Sequence, residues 1–430
     1  MITLYQHQQK ALDLTADHNR CAYYLDMGLG KTFVGSEKAI SFPEKIMVVC
    51  QHSKLQDWRD HFGMNYPLTV FDLTKPKQLQ EFVDGIGKAV GVINYDLIFR
   101  RKVLKSLAGF TLMLDESSVI QNETTKRAKF ILGMNPQNVI LLSGTPTGGK
   151  YEKLWSQCNL LGWPISKELF WKQYVETEWV EDDGFWRQQV VGYKNVDRLK
   201  DKLAQYGAVF MTTDEAGIDL PAKNLIPVKM PVPPTYWAFR SHKIVTVNNE
   251  TLKKSDEPDA EGCRELIGAT TLTRRLYSRQ LCGMLNPARY DAFIDLVEST
   301  EDRLIVFYNF TEEMERMKAL VDRPVSILNG EHKDLAAYEE HPDSITFVQY
   351  QAGAMGANFQ KANKIIYFSL PESWELWEQS QKRIHRIGQD RPCFYYLMIS
   401  PGSVEEDVYS TLQLRKDYSD ELFRKWEKSR

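Results

Sequence analysis

Short apolar runs punctuate the chain at intervals that leave room for a helix between them. In the first half they occupy residues 21–25, 46–50, 90–93, 111–114 and 139–142. In the second half they occupy 304–307, 325–328, 345–348, 365–368 and 394–399. Their apolarity is continuous rather than alternating, the pattern of strands covered by helices on both faces of a parallel sheet. Amphipathic stretches such as 31–40 and 311–321 supply the covering helices. Five strands, a long break and five more strands predict two α/β lobes.

The break, from about 150 to 300, has another texture. It opens with Trp155, Trp163, Trp171, Trp179 and Trp186. Helical patterns at 151–161, 167–175 and 195–206 flank a hairpin predicted over 175–180 and 185–191, with Asp182-Asp183-Gly184 at its turn. Met230-Pro231-Val232-Pro233-Pro234 reads as a stiff connector. Residues 253–262 are charged, contain a proline and read as a mobile loop.

Composition narrows the function classes. The chain has 430 residues, with 54 Lys and Arg against 57 Asp and Glu, a net charge of −3. That balance excludes a uniformly basic binder and an acidic disordered chain, so nucleic-acid contacts must come from local patches. A hydrophobic share of 43% supports real cores. The cysteines at 21, 50, 158, 263, 282 and 393 show no zinc-ligand spacing and read as reduced thiols. Apolar runs stop at about five residues, against the roughly 20 that cross a bilayer, and the start has no signal-peptide pattern. The expectation is a monomeric protein without a membrane partner, in the cytoplasm.

Candidate chemistry sits at three places. Residues 21–25 run into Asp26-Met27-Gly28-Leu29-Gly30-Lys31-Thr32 and then a helical pattern. A strand, a glycine loop ending Gly-Lys-Thr and a helix make a phosphate cradle: backbone N–H groups approach phosphate oxygens at Gly28 and Gly30, Lys31 reaches the β/γ-phosphates and Thr32 offers a hydroxyl to Mg²⁺. Leu25 stands where the strict loop pattern has its first glycine, so a plain turn is the alternative. The strand pattern at 110–114 ends in Asp115-Glu116. Carboxylates at a strand's C-terminal end lie where an α/β sheet opens to ligand; Asp115 suits the metal shell and Glu116 the attacking water. Alone the pair reads as a solvated loop, but with Lys31 and Thr32 in the same lobe it favours nucleotide hydrolysis. Arg383 and Arg386, three apart, share one face if helical. They are either an ordinary cationic face or arginine fingers, each worth about 10³–10⁵ in rate in phosphoryl transfer.

With these pieces in order, the chain resembles superfamily-two helicases, specifically the Swi/Snf-like DNA translocases. Residues 5–12 look like the family's adenine-reading segment, with Gln8 on the base. Residues 48–58 are similar to the segment that touches the tracked strand, and Asp115-Glu116-Ser117-Ser118-Val119-Ile120-Gln121-Asn122 to its Asp-Glu box. Leu141-Leu142-Ser143-Gly144-Thr145-Pro146 resembles motif III, residues 219–223 the crossing between lobes and 304–310 motif IV. Residues 351–358 resemble motif V, and His385-Arg386-Ile387-Gly388-Gln389 the most specific part of motif VI. Ser118 departs from the family's histidine, and Phe210-Met211-Thr212-Thr213-Asp214 replaces a cationic run.

The resemblance implies an α/β fold of two tandem RecA-like parallel-sheet lobes, 1–222 and 223–430, with mostly helical insertions at about 150–210 and 235–290. It implies ATP and Mg²⁺ as cofactors. Nucleotide contacts fall on Gln8, Met27, Gly28, Leu29, Gly30, Lys31, Thr32, Gly356, Asn358, Arg383 and Arg386. Thr32 and Asp115 hold the metal; Glu116, Asp115, Lys31, Arg383 and Arg386 carry catalysis. Nucleic-acid contacts are expected at His52, Ser53, Lys54, Asn94, Tyr95, Thr145, Gln351 and Ala352, and at Arg274, Arg275 and Arg279 within 262–290, whose net charge is +4. The expected partner is duplex or branched DNA, with single strands possible and RNA left open because backbone contacts carry little base information. Size and motif style resemble the minimal motors of phage and bacterial genomes.

The leading expectation is therefore an ATP-dependent DNA translocase, working in a cleft between lobes. A strand-separating or branch-migrating helicase is the second reading and a nucleotide-gated binding switch the third; a small-molecule kinase lacks a signalled second pocket. The hairpin, with Asn195 and Leu199 after it, is similar to the annealing-helicase branch, which makes it a candidate fork wedge. Trp171, Trp179 and Trp186, at near-equal spacing, either stack on bases or pack helices and the hairpin onto the first lobe.

Overall fold

The computed structural model describes residues 2–147, 150–182, 185–257, 261–353 and 357–414. The side chains of 180–182, 185, 187, 352 and 353 are not among what it describes. Asp183 and Gly184 of the expected hairpin turn, and Gly356, lie outside the described residues. The chain forms two compact units, Met1–Asp219 and Leu220–Arg430.

The first unit contains β1 (Arg20–Leu25), β2 (Lys45–Cys50), β3 (Val70–Asp72), β4 (Val90–Asn94), β5 (Phe110–Asp115), β6 (Asn138–Leu142), β7 (Val175–Asp182), β8 (Phe185–Tyr193) and β9 (Ala208–Met211). Seven of them form one sheet in the order β3-β4-β2-β5-β6-β1-β9, parallel throughout. The five strands expected from continuous apolar runs are β1, β2, β4, β5 and β6, and their residues are almost wholly buried. The two edge strands were not expected. β3 has three residues and β9 four, too short for a run to stand out.

β7 and β8 pair antiparallel, so the expected hairpin is present and longer than its apolar pattern, with a register shift between Glu176 and Thr177. Trp155, Trp163 and Trp171 pack on the first unit's core. Trp179 and Trp186, on the ribbon, are 66% and 65% exposed. The packing alternative therefore holds for the first three tryptophans and fails for the last two.

The second unit contains β10 (Lys223–Lys229), β11 (Ile244–Asn248), β12 (Lys254–Ser255), β13 (Cys263–Ile267), β14 (Leu304–Tyr308), β15 (Val325–Leu328), β16 (Lys333–Asp334), β17 (Ile345–Gln349), β18 (Lys364–Tyr367) and β19 (Cys393–Ile399). Its main sheet runs β10-β19-β18-β14-β17-β15-β16, parallel except for the β15–β16 edge. All five expected strands are there. Two parallel-sheet α/β lobes are thus the architecture.

The second insertion differs from expectation. Helices Pro234–His242, Thr271–Cys282 and Pro287–Glu298 accompany a three-stranded antiparallel sheet, β12-β11-β13. The charged stretch read as a mobile loop contributes β12, with Ser255 opposite Thr246 and Lys254 opposite Val247. Pairing with a β-branched neighbour, Ile244-Val245-Thr246-Val247, overrides the local composition. Among the described residues no helix is long and apolar enough to cross a membrane. All six cysteines are free thiols, five of them buried.

One buried ion pair corrects the charge reading of 262–290. Arg289 is fully buried, donates to the Phe368 and Met398 carbonyls and pairs with Glu405 on helix Val404–Gln413. It is a structural cation and contributes nothing to a surface patch. Removing one member of a buried pair strands the other, at a cost of about 3–5 kcal/mol. Glu405→Ala should therefore destabilise the second unit by that amount in urea denaturation, and Arg289→Met with Glu405→Leu should recover much of the loss.

Candidate functional site

β1 ends at Leu25 and turns through a loop into helix Lys31–Ser41, with Gly30 as its cap at φ 76. At this positive φ an L side chain is strained, and a Cβ would also displace the Gln8 carboxamide, so the conformation demands glycine. The N–H groups at the start of this helix and its dipole favour an anion at this end. Helix Gln6–Asp13 holds the loop from behind: His7 Nε2 and Gln8 Nε2 both reach the Leu29 carbonyl, at 3.0 and 3.1 Å. Gln8 Oε1 also accepts from Tyr5 N–H at 3.0 Å. The carboxamide expected to read adenine also clamps the loop, and His7 is a second clamp that sequence reasoning missed. Lys31 Nζ donates back to the carbonyls of Leu25 and Asp26, at 3.0 and 3.3 Å.

β5 delivers Asp115, followed by Glu116 at φ 55. A non-glycine residue in the left-handed region is held there by its surroundings. Buried Tyr95 donates its hydroxyl to the Asp115 carbonyl at 3.0 Å, and buried Trp58 donates Nε1–H to Asp115 Oδ2 at 2.8 Å. Burial first, and then the Glu116 charge, push the Asp115 carboxyl up to about 6, against the Trp58 hydrogen bond and the charges of Lys54 and Lys31.

The sheet order β5-β6-β1 puts one strand between the acidic pair and the glycine loop, a separation of about 10 Å at ordinary strand spacing. The loop after β6 fills that gap. Ser143 Oγ donates to Glu116 Oε2 at 3.3 Å, while Gly144 lies against the other side. A Cβ there would come within 3.0 Å of Met27 Cγ and 3.1 Å of Lys31 Nζ. Lys31, Gly144, Ser143 and Glu116 therefore form one continuous polar row along the C-terminal edge of the sheet.

The Thr32 hydroxyl and the carboxylates of Asp115 and Glu116 make an all-oxygen donor set. Among the described residues no cluster of three or more His, Cys, Asp or Glu could hold a metal unaided. Mg²⁺ typically takes one or two carboxylates and completes its shell with phosphates and water. A desolvated carboxylate beside a second one is relieved by a cation, so the residues fit.

The expected nucleic-acid contacts differ in exposure. Tyr95 is buried with its hydroxyl on the Asp115 carbonyl, and Thr145 is buried with its N–H on Ser143 Oγ at 3.2 Å. His52 is exposed, Ser53 and Asn94 are half-buried, and Lys54 pairs with Asp57 at 2.7 Å. On helix Thr271–Cys282, Arg275 and Arg279 both lie against Glu372, at 3.3 and 3.4 Å, and Arg274 is half-buried. Arg264 pairs with Glu312. With Arg289 buried as well, the net +4 read from the sequence is largely compensated by acids distant in the chain.

In the second unit, Gln351 is exposed on helix Tyr350–Gly353, which also contains Ala352. Arg383 and Arg386 lie beyond helix Trp374–Gln381, in a run of turns, so the shared helix face is corrected. Arg383 is buried and its Nη1 donates to the Ala357 carbonyl at 3.3 Å, while Phe359 N–H donates to the Arg383 carbonyl at 3.1 Å. Gln389 Nε2 donates to the carbonyls of Gln360 and Ala362 at 3.1 and 2.8 Å. The segments around Asn358 and Arg386 are thereby one structure, with Asn358 exposed and Arg386 half-buried.

Comparison with known proteins matches residues 7–280 to the SNF2-related domain and 288–388 to the helicase conserved C-terminal domain. A probable ATP-dependent DNA helicase, CHR12 of Arabidopsis thaliana, is 23% identical over 89% of this chain and 38% of its own length. The putative ATP-dependent helicase/translocase YwqA of Bacillus subtilis is 22% identical over 93% of this chain and 46% of its own. The chain thus spans less than half the length of these curated relatives. A solved Sulfolobus solfataricus SWI2/SNF2 ATPase core in complex with dsDNA covers 99% of this chain and 92% of its own, at 19% identity and a TM-score of 0.44.

The raised Asp115 carboxyl has a defined sign. Between the ordinary value of 3.8 and about 6 the folded protein keeps a proton that the unfolded chain loses, so stability falls as pH rises through that window. In metal-free protein, Asp115→Asn should raise the melting temperature at pH 7.5, with the gain vanishing as pH approaches 4. A lower melting temperature for the variant at pH 7.5 would contradict this.

Proposed function

The chain belongs to the SNF2-related family, and on that premise we propose that it is an ATP-hydrolysing motor that moves along duplex or branched DNA. The row from Lys31 through Gly144 and Ser143 to Glu116 carries this reading, because it joins a phosphate-binding cation to a candidate water-activating carboxylate through one loop. Lys31 leaves the carbonyls of Leu25 and Asp26 to bind the β/γ-phosphates, and the first-turn N–H groups after Gly30 cradle them. Thr32 and Asp115 would hold Mg²⁺, which would neutralise phosphate charge when bound. Glu116 orients the attacking water. Arg383 and Arg386 are the candidate cations to offset the charge that develops on a transferred phosphoryl group. Loss of the γ-phosphate frees Lys31, and the Ser143–Pro146 loop carries that change away from the site.

For nucleic-acid contact, the exposed side chains at His52 and Gln351 and the half-buried Asn94 remain the best candidates. Strand separation is a second reading, favoured by the exposure of Trp179 and Trp186 on the β7–β8 ribbon. The ribbon's sequence carries Glu176, Glu178, Glu181, Asp182 and Asp183 against Arg187, which disfavours phosphate tracking and leaves base stacking as its means.

Tracking is tested by ATP-driven displacement of a third strand from a triplex on duplex DNA. The protein should displace it, and Lys31→Ala should lose at least about a hundredfold in ATP hydrolysis while melting normally. Near-normal hydrolysis by Lys31→Ala refutes the site. Deleting 180–187 should impair fork remodelling and spare triplex displacement; intact remodelling ends the wedge reading.

A further inference from the structure

Gln157 is a fully buried carboxamide on helix Trp155–Leu160, among Leu154, Cys158, Leu160 and Leu161. A polar side chain is retained at such a position only when its donors and acceptors are used. Gln157 Oε1 accepts from the Tyr24 hydroxyl at 2.9 Å and from Ser117 Oγ at 2.7 Å. Its Nε2 donates to the Pro146 carbonyl at 2.9 Å. Tyr24 belongs to β1, which feeds the glycine loop; Ser117 follows Glu116; Pro146 closes the loop that touches both Lys31 and Glu116. One side chain therefore ties together the three strand ends that compose the site.

The tie bears on Glu116 in particular. Its left-handed backbone is held on one side by Tyr95, which bonds the Asp115 carbonyl, and on the other by Ser117, whose hydroxyl is fixed by Gln157. Without the second anchor the backbone is free to relax toward the right-handed region, and the carboxylate turns with it. Misplacement of a reacting group by about 1 Å can cost 10²-fold in rate. We infer that Gln157 is a positioning residue that acts through Ser117 to hold the Glu116 carboxylate on the attacking water, and through Pro146 to keep the Ser143–Pro146 loop in register with it. The inference rests on the reading of this site as an ATPase.

The test compares Ser117→Ala, Gln157→Met, the double variant and Thr111→Val. Thr111 is equally buried and bonds Asn138 Nδ2 at 3.0 Å, at the opposite end of β5 and β6, so it reports what a lost buried hydrogen bond does by itself. DNA-stimulated ATP hydrolysis should fall at least about tenfold in kcat for Ser117→Ala and Gln157→Met, with KM for ATP nearly unchanged. The double variant should be no slower than Gln157→Met, because both changes cut one connection. Thr111→Val should lower the melting temperature and leave kcat alone. If Gln157→Met does not fold, Ser117→Ala, which loses a single bond, decides the matter. Unchanged kcat in Ser117→Ala, or a rise in KM at constant kcat, overturns the inference and leaves the ATPase reading standing. A wild-type protein inert toward ATP with every nucleic acid refutes that reading, and this inference with it.

Discussion

Burial of the Asp115 carboxylate beside Glu116 is the constraint on which the first unit's polar architecture depends. Two adjacent acids at the mouth of a parallel sheet repel each other, and desolvation raises the cost of ionising the inner one. Trp58 and Tyr95 hold its carboxylate and its carbonyl, Ser143 bonds Glu116, and Lys31 lies against Gly144 of the same loop. A site so arranged is incomplete by itself. On the proposed reading, a metal and phosphates would supply the missing charge and so couple nucleotide binding to the surrounding loops.

That arrangement also explains why side chains with no catalytic signature carry so much of the site. His7 and Gln8 fix the glycine loop through one carbonyl, that of Leu29. Gln157 fixes three strand ends through one carboxamide. Tyr95, read from the sequence as a nucleic-acid contact, supports the acidic pair from beneath. In each case the functional group is placed by a hydrogen bond to a backbone or side-chain atom far away in sequence, and motif spacing does not register such bonds.

What was legible in the sequence follows the same division. The central strands were readable because a strand buried on both faces must be mostly apolar, as β1, β2, β5 and β14 are. The edges β3, β9 and β16 were not, because short strands leave too few residues for a pattern. Gly-Lys-Thr and Asp-Glu could be placed at strand ends because the apolar runs of β1 and β5 lead into them. Charge was read least well. Arg264, Arg275, Arg279 and Arg289 looked like a cationic stripe, but Glu312, Glu372 and Glu405, from 48 to 116 residues away, pair with them. Arg383 and Arg386 were assigned to a helix face by spacing alone, whereas the chain leaves its helix at Gln381 and folds back on 357–362.

Within 262–290, Arg264, Arg275, Arg279 and Arg289 are paired with acids, so on the proposed reading the grip on DNA would depend on the nucleotide state. The most direct test of that account is the steady-state rate of ATP hydrolysis measured without nucleic acid and then with single strand, duplex, fork and RNA at one salt concentration. The account predicts a low basal rate and clear stimulation by duplex or forked DNA. A rate that is the same with and without every nucleic acid would contradict it.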